Sequence, residues 1–206
     1  MSDGALPATT AIVLAGGRSA RFGRNKLAEP LAGRSLLDHA ILAVAGVARE
    51  VLVLVPPVGD APRLPQAEDR TVSITAVRDP EPFGGPLVAL LAGLERAREP
   101  FALVVGGDMP RLSRDVLAAL LRRLEQSDAD AVQLTFRGRR QPLPLGLRVG
   151  AATGAARRLL ADGVRSLQSL ADALRARAIS EGEWRALDPV AGTMQDVDRP
   201  EDLPPA

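Results

Sequence analysis

Residues 14–26, Leu14-Ala15-Gly16-Gly17-Arg18-Ser19-Ala20-Arg21-Phe22-Gly23-Arg24-Asn25-Lys26, bring together three glycines, three arginines, a serine and a lysine. Glycines let backbone N–H groups approach an oxyanion closely, and the cations neutralise several phosphate charges at once. The loop is therefore a candidate polyphosphate cradle. Lys26 is the one lysine beside 25 arginines, and a compact point charge is not interchangeable with a planar fork. The spacing is not that of a Walker loop: five residues separate Gly17 from Gly23, and Asn25 intervenes before Lys26. With no G-x-G anywhere in the chain, it is not a Rossmann dinucleotide fingerprint either. The alternative is a glycine-rich β-to-α turn with solvated arginines.

A second signal is Gly106-Gly107-Asp108-Met109-Pro110, which follows an apolar run. A carboxylate at a strand end with backbone room around it suits Mg²⁺, which keeps several waters and accepts one or two carboxylates plus ligand phosphates; the competing role is a turn-stabilising aspartate. Asp79, Asp196 and Asp198 also follow strand-like runs, and each alone is as much a turn residue as a ligand. Arg137, Arg139 and Arg140 cluster around Gly138, where they could grip a phosphate bidentately or keep an exposed turn solvated.

Composition removes whole classes of chemistry. There are no cysteines and one histidine, so disulfides, thiolate sites and multi-histidine metal sites are excluded. A Ser/His/Asp triad would need His39, inside an apolar-periodic stretch that reads as helix rather than as a catalytic loop. A formal charge of +1 with four Phe, one Trp and no Tyr gives neither the basic excess nor the stacking platforms of nucleic-acid binders. No basic region followed by an apolar run opens the chain, and no membrane-length apolar window occurs. A cytoplasmic monomer is expected, without nucleic-acid or membrane partners.

The elements that must hold these loops alternate. Strands are expected at Thr10–Leu14, Glu50–Val55, Thr71–Val77, Phe101–Val105 and Ala129–Leu134. Helices are expected at Ser35–Ala48, at Leu87–Arg98 with Pro86 in the first turn, and from the Ser113 N-cap through Gln126. Pro142–Val149, broken by Pro142 and Pro144, predicts an edge or bent strand. Ala151–Ala161 and Leu167–Ala176 read as helices, Thr193–Val197 as a last strand, and Pro56–Arg70 as an exposed loop. Such alternation means βαβ units: a single three-layer α/β/α domain over residues 1–206, ordered core about 10–203, with a mainly parallel sheet. In such sheets the ligand crevice lies beyond the carboxyl ends of the strands, where the first loop, Asp79 and Asp108 all fall.

The run LAGGRSARFGRNK resembles the signature of nucleotidyltransferases with a Rossmann-like GT-A fold, in particular the MobA-like molybdenum cofactor guanylyltransferases. Asp79 with Gly84-Gly85-Pro86-Leu87, then Gly107-Asp108-Met109-Pro110, then residues 196–203 (DVDRPEDL) follow in the family's order, so the resemblance spans roughly residues 10–203. It implies transfer of GMP from GTP to the phosphate of molybdopterin with release of pyrophosphate. GTP would be bound through Leu14, Ala15, Gly16 and Gly17. Arg21 and Lys26 would lie on the phosphates, Asp79 near the guanine nucleoside, and Asp108 on Mg²⁺, with Asp198 a weaker second metal ligand. Gly16-Gly17 stands where cytidylyl relatives usually carry LAAG, which favours guanine. Family members often have Cys or Ser at Gly107, Asn at Asp196 and Asp198, and Thr at Arg199. A strand-end Asn appears here as Leu54 or Val55, and a His-Pro segment as Gln141-Pro142. The alternatives are a same-fold enzyme with another nucleotide or acceptor, such as CTP or a sugar 1-phosphate, and a non-catalytic nucleotide-binding relative.

Overall fold

The computed structural model describes residues 5–16, 26–82, 84–197 and 202. β1 (Thr9–Leu14) leads to a 3₁₀ turn (Lys26–Ala28), a small hairpin of β2 (Pro30–Leu31) and β3 (Arg34–Ser35), and α1 (Leu36–Ala45). Then come β4 (Glu50–Val55), β5 (Ser73–Arg78), α2 (Pro86–Leu94), β6 (Phe101–Gly106), α3 (Arg114–Glu125), β7 (Ala131–Phe136), β8 (Arg139–Arg140) and β9 (Leu145–Arg148). α4 (Val149–Ala161), α5 (Leu167–Asp172), β10 (Ala176–Ile179), α6 (Glu181–Arg185) and a 3₁₀ turn at Gly192–Met194 complete the described chain.

The main sheet runs β10-β7-β9-β6-β1-β4-β5, with β8 attached to β7. β1 pairs parallel with both β4 and β6, and β5 extends the sheet beyond β4. β9 is antiparallel to β6 and to β7. Side chains alternate across the sheet as strand geometry requires. Ala11, Val13, Val51, Val53, Leu103 and Val105 pack with residues of α1 and α3, whereas Ile12, Leu52, Leu54, Ala102 and Val104 pack with α2, α4 and α5. The result is a three-layer α/β/α architecture. α1 begins where Ser35 and Asp38 form a reciprocal capping box, and its buried face is Leu36, Leu37, Ala40, Ile41, Val44 and Ala45.

Four expectations are corrected. The segment after Pro142 and Pro144 is not an edge strand: both prolines precede β9, so their missing donors fall outside its ladder, and β9 inserts between β6 and β7. Gly146 permits this, because a Cβ there would collide with Leu120 of α3. Thr193–Val197 forms no strand; the N–H groups of Thr193, Met194, Gln195 and Val197 donate to Asp188, Ala191, Gly192 and Asp108. The helix expected to reach Ala176 stops at Asp172, and Ala176–Ile179 pairs in register with Ala131–Leu134, a long-range pairing that overrides local helix preference. α2 likewise ends at Leu94 rather than Arg98.

Candidate functional site

β1 lies between β4 and β6, and the chain leaves β1 through α1 to β4 before returning on the other side at β6. This reversal is a topological switch point, and a crevice opens there at the carboxyl ends of the strands. A cavity of about 800 Å³ occupies it, lined on one side by Leu14, Ala15, Gly16, Lys26, Leu27 and Asp108. Such a volume is in the range of small-molecule sites.

The sheet itself fixes the floor. The Ala15 N–H donates to the Leu54 carbonyl at 2.9 Å, and the Gly107 N–H donates to the Leu14 carbonyl at 3.0 Å. Residues 14–16 and 106–108 are thereby locked side by side. Across them Lys26 Nζ meets Asp108 Oδ2 at 2.6 Å, the two side chains only 17% and 26% exposed. A charge-assisted bond this short, largely shielded from water, holds the ammonium and the carboxylate at one point of the crevice. Gly106 is needed for this placement, since a Cβ on it would lie 2.5 Å from Asp108 Oδ1. Gly107 is confined too: a Cβ there would meet Leu37 Cδ1 at 3.0 Å and the Leu14 carbonyl at 3.4 Å.

Asp79 follows β5, its N–H bonded to the Val55 carbonyl at 2.9 Å and its Oδ1 accepting the Glu81 N–H at 3.2 Å. It is therefore a turn residue. It also borders the crevice, because a Cβ on Gly16 would stand 3.9 Å from Asp79 Oδ2. Leu54 is wholly buried in the core, whereas Val55 and Pro56 line the cavity without offering a side-chain polar group. His39 is a structural residue of α1, its Nε2 2.7 Å from the Leu31 carbonyl. Gly17, Arg21 and Asp198 lie outside the described residues.

The three hairpin arginines are not brought to this cavity. Arg137 and Gly138 make the two-residue turn between β7 and β8 with φ of 50° and 73°, as a type I′ hairpin requires. Arg137, Arg139 and Arg140 are exposed, at the carboxyl end of β7, which β9 separates from β6. The Arg137 guanidinium stacks 5.0 Å from the Phe136 ring centre. Gln141 closes the hairpin, its side chain donating to the Arg139 carbonyl at 3.0 Å.

Sequence reasoning missed a second set of residues around the cavity. Val58, Asp60, Pro62, Arg63, Leu64 and Pro65 line it, as do Ser35 and Asp38 of the capping box. The 56–70 segment reads as an exposed loop because its prolines and polar residues give no periodic signal; only packing shows that it folds back beside the phosphate-side residues. Among the described residues no cluster of three or more His, Cys, Asp or Glu has metal-binding geometry, and no helix is long and apolar enough to cross a membrane.

Comparison with known proteins agrees with this architecture. The chain is 33% identical over 196 residues to a probable molybdenum cofactor guanylyltransferase of Chloroflexus aggregans, covering 93% of this chain and 90% of that protein. It is 34% identical over 181 residues to a probable molybdenum cofactor guanylyltransferase of Mycobacterium tuberculosis, with 85% of each covered. The crystal structure of the molybdopterin-guanine dinucleotide biosynthesis protein A from Archaeoglobus fulgidus superposes with a TM-score of 0.74 over 94% of both chains at 18% identity, a likeness of fold. The model of the MobA-like NTP transferase domain matches residues 11–181. A nucleotide-sized crevice at the switch point, a glycine-bearing first loop and a lysine–aspartate pair across it thus sit in a chain that belongs to the MobA-like NTP transferase family.

Proposed function

We propose that this enzyme transfers the GMP moiety of GTP to the phosphate of molybdopterin and releases pyrophosphate, acting in the cytoplasm as a monomer with Mg²⁺. The observation that carries the reading is the Lys26–Asp108 pair, 2.6 Å long, beside Gly16 in the crevice. The names of the relatives support guanine and the molybdenum cofactor as substrates.

The residues fit a metal that arrives with the nucleotide. A single partly exposed carboxylate at a strand end is the donor set expected for Mg²⁺ shared with phosphates and water rather than caged by protein. Asp108 would hold it, with Asp198 a second candidate. When bound it would neutralise phosphate charge and orient the leaving group.

In the reaction, an oxygen of the acceptor's phosphate monoester forms a bond to the α-phosphorus of GTP. The bond from that phosphorus to the oxygen bridging to the β-phosphate breaks, and pyrophosphate leaves with the electron pair. The attacking oxygen is already anionic near neutral pH, so no general base is needed, and His39, held on the Leu31 carbonyl, plays no part. Lys26 exchanges its carboxylate partner for a β- or γ-phosphate oxygen, assisted by Arg21, and the Asp108 carboxylate would then be available to hold the cation. Residues 14–17 receive the nucleotide, and Asp79 lies on its nucleoside side. Rate enhancement comes from positioning and charge neutralisation, as in phosphoryl transfer generally.

The test is a thermal-shift screen of the four nucleoside triphosphates with Mg²⁺, followed by pyrophosphate release with molybdopterin. GTP at about 100 times its dissociation constant adds roughly 2.7 kcal/mol to stability, and Asp108→Asn abolishes turnover while the fold survives. Equal shifts for CTP and GTP overturn the guanine assignment, and absence of pyrophosphate release overturns the transfer.

A further inference from the structure

Far along the chain from the crevice, Asp188 is a buried carboxylate, 6% exposed. Among the described residues it has no arginine or histidine partner; instead its Oδ1 accepts the Gly192 N–H at 3.1 Å and its Oδ2 the Thr193 N–H at 2.8 Å. Two converging backbone donors call for two acceptor oxygens, which a carboxylate supplies and an amide does not. The chain reverses there through Ala191, at φ 54°. Gly192 lets the turn press against the segment after β6, since a Cβ on it would lie 2.9 Å from the Arg111 carbonyl oxygen.

What the turn presses against is the segment that bears Asp108. Thr193 is fully buried, and its hydroxyl oxygen accepts the Ser113 N–H at 3.1 Å. Four residues on, the Val197 N–H donates to the carbonyl of Asp108 itself at 3.0 Å, and the Val197 side chain packs on Leu36 at the start of α1. One C-terminal stretch therefore grips residues 108–113 at both ends, and the Asp188 carboxylate sets the shape of that stretch.

We propose that Asp188 is a positioning residue for Asp108: through Thr193 and Val197 it fixes the backbone from which the Asp108 carboxylate meets the metal–nucleotide complex. The inference rests on the reading of Asp108 given above. It assigns to the C-terminal buckle a role in metal affinity, besides whatever it contributes to stability.

The probe is Mn²⁺ in the binary complex with GTP, followed by electron paramagnetic resonance with no acceptor present, alongside GTP affinity in EDTA and the melting temperature. In Thr193→Val, which keeps the side-chain shape and removes the oxygen, and in Asp188→Asn, the Mn²⁺ dissociation constant rises about 10- to 100-fold, the range for residues that orient a metal ligand. GTP affinity in EDTA stays within about twofold, kcat falls while the KM for GTP is held, and Thr193→Ser restores wild-type Mn²⁺ affinity. If Asp188→Asn does not fold, Thr193→Val and its serine rescue decide. Wild-type Mn²⁺ affinity in a folded Thr193→Val overturns the proposal, as does an equal loss of GTP affinity in EDTA. If Asp108→Asn itself binds Mn²⁺ like the wild type, the assignment of Asp108 fails instead, and the buckle is only structural.

Discussion

Gly106→Ala separates the geometry of the site from the stability of the fold. Gly106 closes β6, has no positive φ, and so accepts alanine at the backbone. The added methyl would lie 2.5 Å from Asp108 Oδ1 and 3.4 Å from Met109 Cγ. Ordinary contact needs roughly 3.5 Å, so the Asp108 carboxylate must retreat by about 1 Å. Because the obstructing atom is the end of a rotatable side chain, the fold is only mildly affected. An off-rotamer χ costs about 0.5–1.5 kcal/mol, a weakened, partly exposed ion pair up to about 1 kcal/mol, and the lost glycine freedom returns about 0.4–1 kcal/mol. The net destabilisation is about 1 kcal/mol, or a melting shift of roughly 2–4 °C for a chain of this size. Turnover has no such cushion: a 1 Å misplacement of a catalytic group costs about 100-fold, some 2.7 kcal/mol in the barrier. Pyrophosphate release at saturating GTP and acceptor measures kcat, and calorimetry measures stability on the same preparation. A folded variant with kcat within about threefold of wild type would refute the requirement for Asp108 where the structure puts it.

Lys26→Arg keeps the charge but exchanges a point cation for a wide planar one at the short bond to Asp108, so turnover falls roughly tenfold or more while circular dichroism is unchanged; a wild-type rate would remove Lys26 from the phosphate site. Replacing Arg137 and Arg139 together by Ala leaves kcat, the acceptor's KM and GTP affinity within about twofold of wild type, because these arginines stand outside the crevice. A raised acceptor KM at constant GTP affinity would give the hairpin a part in holding the acceptor, and a loss of GTP affinity would move it to the nucleotide side. Glu183 gives a pH signature away from the site. Its bonds from the Ser180 hydroxyl and N–H, and from Arg123, hold its carboxyl down at about 2. A folded-state value below the unfolded one stabilises above the unfolded pKa and is lost as pH falls. The melting-temperature gap between wild type and Glu183→Gln is thus expected near neutral pH and closes between pH 4.5 and about 2. Half-exposed as the pair is, the gap corresponds to no more than about 1 kcal/mol; a gap that persists in acid would contradict the assignment.

The nucleotide side of the crevice is legible in the sequence because its signals are local. Apolar runs that stop at glycine mark β1 and β6, Pro86 and Ser113 mark helix starts, and Lys26 is conspicuous as the one lysine. Each depends on residues only a few positions apart, and strand ends in a parallel sheet converge whatever the remaining topology. Tertiary structure decided what depends on distant partners. That Lys26 reaches Asp108 joins positions 82 residues apart, and nothing in either neighbourhood specifies the pairing. β9 is central rather than peripheral because Gly146 admits Leu120, and β10 is a strand because β7 offers an edge. The proline-rich wall of the cavity has no periodicity to read, and Asp188 is an unremarkable aspartate in the sequence. It acquires its role only when the chain end folds back, and the backbone donors of residues 192, 193 and 197 find their acceptors on Asp188 and Asp108.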